Sequence, residues 1–112
     1  MHIIVGSHGA KKTAFARSHG WTVYGGEGEN NHISSTEIKS KEFIDLVYTG
    51  RHTHPDTYDK TCIIVHQLDM VPKNLWTNCI LWMRDHHNEW YGYDPRRPII
   101  NMDRLYPEIK LT

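Results

Sequence analysis

Gly6, Gly9, Lys11, Lys12 and Thr13 follow directly on the apolar run Ile3, Ile4 and Val5. A short β-branched run that breaks into a glycine-bearing turn and then lysines is the way a phosphate-binding strand, loop and helix begins. Laid over the template G-x-x-x-x-G-K-[ST], Gly6 takes the first glycine, Lys12 the lysine and Thr13 the hydroxyl, while Lys11 stands where the second glycine belongs. In such a loop backbone N–H groups cradle phosphate oxygens, the lysine meets the terminal phosphates and the hydroxyl helps to hold magnesium. The ligand this pattern implies is ATP or another nucleotide with magnesium. A Cβ at Lys11 puts bulk at a glycine position, so that residue is expected either to sit in an ordinary conformation or to push the phosphate away. The same residues also read as a plain turn with the look of such a loop.

Three further groups could carry chemistry or binding. His52, His54 and Asp56 form a His-x-His pair with a nearby carboxylate; on an extended segment both imidazoles share a face and suit zinc, nickel or iron. Solvated loop histidines are the alternative. The run Asp85-His86-His87-Asn88 has the residue types of a metal-dependent nuclease, but the hairpin, helix and further histidine such a site needs cannot be located. Trp90, Tyr91, Tyr93, Arg96 and Arg97 interleave aromatic faces with guanidinium groups, which fits single-stranded nucleic acid or a protein interface. Lysine plus arginine number 13 and aspartate plus glutamate 13, so no overall field draws the chain to nucleic acid or membrane, and a protein partner is favoured.

Those residues must be positioned by a chain of 112 residues, which suits a single domain, 1–112, with one modest core. Positions 2–6 read as a buried strand, 11–19 as a helix ending at Gly20, and 21–24 as a second strand, which makes a compact parallel β-α-β unit. The glycine-rich stretch 25–31 reads as a mobile loop. Capping residues Ser34, Ser35, Thr36 and Glu37 lead into a helix over 37–48 that ends around Gly50. A polar linker, 51–60, precedes the clearest strand, 61–66, which is apolar on both faces as a central parallel strand would be. A helical turn at 72–76, a strand at 79–83 and a strand or hairpin around 90–93 follow. The fold expected is a small three-layer α/β domain with a mainly parallel sheet of four or five strands, two main helices and a β-rich C-terminal extension.

Composition adds several expectations. The nine histidines turn the net charge positive just below neutral pH. Cys62 and Cys79 sit inside apolar runs and read as buried reduced thiols rather than a disulfide. No apolar run is long enough to span a bilayer, so a soluble cytoplasmic protein is expected, in the host cytoplasm if it is virus-encoded.

Residues 44–83 resemble a passage of the packaging and motor ATPases of the FtsK/HerA type, which include those of filamentous phages and large DNA viruses. The features that carry the resemblance are a helix ending in Gly50-Arg51-His52, a strand ending in Gln67, and Pro72-Lys-Asn-Leu75-Trp-Thr-Asn78 ahead of an apolar strand. Residues 2–14 extend it through the loop. The resemblance implies that Lys12 and Thr13 contact phosphate and magnesium and that Gln67 senses the γ-phosphate. The family's acidic pair at a strand end is missing before Gly50, and Glu27 and Glu29 are its only stand-ins. Two function classes follow: a reduced domain that binds a nucleotide or other phosphate ligand, or a small phage or viral protein that acts by binding a host macromolecule. A histidine-based metal enzyme is a further alternative.

Overall fold

The strand 2–6 occupies the middle of the sheet. In the computed structural model, which describes residues 1–26, 31–76, 78–84 and 90–93, it forms β1 (His2–Gly6), and all five of its residues are buried. Of Tyr91 and Tyr93 only the backbone is described, and Glu27, Glu29, Arg96, Arg97 and the stretch 85–89 lie outside the described residues. So does 94–112, where the β-rich extension was expected.

β1 pairs in parallel with β3 (Thr61–Val65) on one side and with β4 (Ile80–Arg84) on the other. β2 (Thr22–Val23) adds in parallel outside β3, and β5 (Trp90–Tyr93) adds antiparallel outside β4, giving the order β2-β3-β1-β4-β5. Four parallel strands with one antiparallel edge agree with the mainly parallel sheet expected. The run 61–66 is apolar on both faces because β3, like β1, is an interior strand with helices on either side.

Strand alternation divides the core in two. Ile3, Val5, Ile63, Val65, Leu81 and Met83 face one side, against Ile38 of α2 (Ser35–Ile38) and Phe43 and Val47 of α3 (Lys41–Thr53). Ile4, Cys62 and Ile64 face the other, against Phe15 and Ala16 of α1 (Lys12–Ser18). Helices on both faces of one sheet make the three layers.

Local chemistry explains the helix ends. Gly20 has φ +72°, and the N–H groups of Gly20 and Trp21 reach the carbonyls of Arg17 and Ala16, a Schellman closure that stops α1 where the glycine foretold. The helix expected over 37–48 is instead two. Ser34 caps α2 by accepting from the Glu37 N–H, and Ser40 caps α3 by accepting from the Phe43 N–H, so the serine between them restarts the helix. Nor does α3 stop at Gly50. A Cβ at that position would lie 2.8 Å from the Tyr58 ring, so the glycine is there to let the next helix, α4 (Pro55–Tyr58), pack closely. α5 (Lys73–Trp76) starts after Pro72 as expected.

Cys62 and Cys79 are buried and free, and they belong to the cores on opposite faces of the sheet. Among the described residues no helix is long and apolar enough to cross a membrane.

Candidate functional site

In a parallel α/β sheet, ligands bind in the crevice beyond the carboxyl ends of the strands. The loop 7–11 leaves β1 at that edge and must turn back at once to start α1. It does so through a turn closed by the Ala10 N–H and the Ser7 carbonyl, 3.1 Å apart, with Gly9 at φ +82°. Gly6 is required by close approach: a Cβ there would come within 2.9 Å of the Ala10 Cβ and 3.4 Å of the Lys12 chain.

Of the two arrangements expected of it, Lys11 does not take the ordinary conformation. It holds φ 60° and ψ 39°, the left-handed conformation a glycine would have taken, and caps α1 from there. The chain reverses from strand to helix within a few residues, and the reversal needs a positive φ at this point. For a residue with a Cβ that costs about 1–2 kcal/mol, which the surrounding packing sustains. The lysine side chain stays exposed.

Lys12 points inward. Its Nζ donates to the carbonyls of Gly6 (2.9 Å) and Ser7 (2.8 Å), and the residue is only 5% exposed. Desolvation pushes its ammonium below the ordinary lysine pKa. The two carbonyl bonds use two of the three ammonium donors. Thr13 accepts a hydrogen bond at Oγ1 from Asn31 Nδ2, 3.3 Å away, which joins α1 to the segment 31–34 across the gap.

Between these walls lies a cleft of about 300 Å³, with Gly9, Lys11, Lys12 and Thr13 on one side and Asn31 and His32 on the other. A depression of similar size, about 320 Å³, runs along α3 beside Glu42 and Asp45. Volume does not separate the two; their linings do. Cations and a hydroxyl at the end of an interior parallel strand suit an anion, and carboxylates do not. The described lining of the first cleft supplies lysines for phosphate, but for magnesium it offers the Thr13 hydroxyl and the Asn31 amide oxygen and no carboxylate.

Two residues that the sequence did not tie to this cleft complete the surroundings. Arg84, the last residue of β4, stands opposite Gly6 in the β1–β4 register, and its Nη1 donates to the Ala10 carbonyl. Its guanidinium lies 5.7 Å from the centre of the Trp90 ring, which itself stacks on Phe15 at 4.0 Å. Trp90, expected as a partner anchor, is thus half-buried and engaged with α1. His66 follows β3 on the face that Ile64 shares with α1, and its ring stacks on that of His32. Gln67, one residue on, is exposed and does not line the cleft. Alternation decides between them, and sequence alone could not tell which face α1 would cover.

The histidines singled out for metal are not brought together. His52 falls inside α3, His54 follows its end and Asp56 lies in α4; all three are exposed. The His-x-His reading needed an extended segment, whereas helical geometry turns successive alternate residues about 200° apart. Among the described residues no group of three or more His, Cys, Asp or Glu is arranged to hold a metal ion.

No protein-family model, curated protein or solved structure matches this chain.

Proposed function

We propose that this chain is a phosphate-binding α/β domain that takes a nucleotide, or another phosphate-bearing molecule, in the cleft between the loop 7–11 and the segment 31–34. One observation carries the reading: Lys11, Lys12 and Thr13 surround a cleft of about 300 Å³ at the carboxyl end of an interior parallel strand. Lys12 is pre-positioned by two backbone carbonyls, and its remaining N–H can meet a phosphate oxygen with little side-chain entropy left to lose. The resemblance to packaging ATPases of phages and large DNA viruses belongs to the same proposal, and it adds nucleotide to the class of ligand. The reading is one of binding, and it assigns no hydrolytic step.

Calorimetry with ATP, with and without magnesium, tests it. Millimolar or tighter binding is expected, weakened at least about tenfold in Lys12→Ala, since a hydrogen bond to a charged group contributes roughly 1.5–3 kcal/mol. Lys12 is buried, so Lys11→Glu, a charge reversal on the exposed rim, provides a second variant that need not disturb the core. Absence of heat with the wild-type protein, or binding indifferent to both substitutions, would refute the site.

A further inference from the structure

Three histidines converge on the loop from separate elements. His8 lies within it, and His66 follows β3. His32 is on the segment 31–34, which rejoins the β3 ladder through a 3.1 Å bond from the Ile33 N–H to the Ile64 carbonyl. That bond sets His32 over His66, with ring centres 3.7 Å apart and planes within 18°, while His8 stands 6.1 Å from His66. His8 and His32 line the cleft beside the lysines.

Among the described residues, the groups facing His66 are the Lys12 ammonium from α1, His8 from the loop, the His32 ring from the segment 31–34 and the Gly6 backbone from β1. Each ionisable one is cationic or becomes so on protonation, and the described cleft lining holds no carboxylate. Two imidazoles in stacking contact cannot both take a proton without like-charge repulsion. An anion between the histidines and the lysines is what removes that repulsion.

We infer that His8 and His32 form a second wall of the cleft, with His66 stacked against His32 behind it, and that this histidine cluster holds the phosphate-bearing ligand in its protonated form, so that binding takes up a proton. This rests on the phosphate-binding reading and specifies how that site is regulated. In the free protein burial, then Lys12 and His8, hold His66 below the ordinary histidine pKa. A bound dianion offsets the repulsion from Lys12 and His8 and raises it. Between the free and bound values the complex carries more protons than the free protein, so affinity rises as pH falls. Above the bound value the linkage disappears. Each unit by which binding raises the pKa is worth about tenfold in affinity across that window.

Titration calorimetry with sulfate and with ATP, at about pH 7.5 and about pH 5.5, in buffers of different ionisation enthalpy, measures both affinity and proton uptake across the range where histidine titrates. Sulfate keeps both charges throughout, so any uptake seen with it belongs to the protein. The expected result is severalfold tighter sulfate binding at the lower pH with net proton uptake. In His66→Gln the ratio of affinities at the two pH values should collapse toward one. His8→Gln, at an exposed position, should reduce the ratio and serves if the first variant does not fold. Binding of either anion with no proton uptake, or an undiminished ratio in both variants, overturns the histidine wall and leaves the phosphate site standing. No binding at either pH overturns both.

Discussion

At the scale of single residues, the clearest commitment is His2. It is 7% exposed, its ring stacks on Trp21 at 3.7 Å, its Nε2–H donates to the Asp59 carbonyl, and its Nδ1 accepts from Trp82 Nε1 at 3.0 Å. Those two partners require the neutral ring with its proton on Nε2. Burial, and then the Met1 ammonium, push its pKa down to about 4 from an ordinary 6.5. Protonation would turn the acceptor at Nδ1 into a donor facing an indole N–H. Because the folded state resists the proton, the unfolded state binds more protons between those two values. Stability is therefore complete above about pH 6.5 and falls toward pH 4, by up to about 1.4 kcal/mol per unit. Urea unfolding of the wild type and His2→Phe from neutral pH downward should show a steeper loss in the wild type. Parallel curves would mean that His2 is not the group responsible. The abundance of histidine announced acid sensitivity; which histidine sits buried between two hydrogen bonds was not legible, since a histidine before an apolar run reads equally as a solvated strand end.

At the scale of elements, Gly50 shows how context outweighs local preference. Replacing a mid-helix glycine with alanine ordinarily gains about 1 kcal/mol of helix propensity. Here the new Cβ would stand 2.8 Å from Tyr58 Cδ2 and 2.9 Å from Leu46 Cδ1. The Leu46 end can rotate away. Tyr58 cannot, because its hydroxyl donates to the Asn78 carbonyl at 2.7 Å and lies 3.3 Å from that of Val47. Overpacking of this kind costs about 1–3 kcal/mol, so Gly50→Ala should destabilise on balance. A higher urea midpoint for the variant would show that α4 yields. Read along the chain, Gly50 is a helix terminator, and the contact that makes it a packing residue comes from Tyr58 across a bend. Ser34, Ser40 and Gly20 behaved as their types predict because a cap bonds only to its own turn.

At the scale of the molecule, the sheet encloses both thiols. Cys62 and Cys79 are 0% and 1% exposed, and burial drives each pKa up to about 12. The thiolate is the reactive form, so in the folded protein neither should react with a thiol reagent near neutral pH. Labelling should proceed only at the rate at which the core opens, and both cysteines should be modified together as denaturant unfolds the chain. Rapid modification of either under native conditions would contradict an interior β3 or the packing around Cys79. Their separation onto opposite faces of the sheet also accounts for the lack of a bond between them.

What the sequence determined by itself was local. Apolar runs without alternation marked β1 and β3 as interior parallel strands, Ser34 and Pro72 marked two of the helix starts, and the spacing of Gly6, Lys12 and Thr13 marked the loop at the sheet's edge. Tertiary structure alone decided which side chains meet there. It turned Lys11 into the left-handed residue, folded Lys12 onto two carbonyls, and brought His32, His66 and Arg84 to a loop tens of residues away. The physical reason is that strand and helix signals are written in neighbouring residues, whereas a site at the end of a parallel sheet is assembled by crossovers. Those crossovers join positions whose types carry no mark of one another.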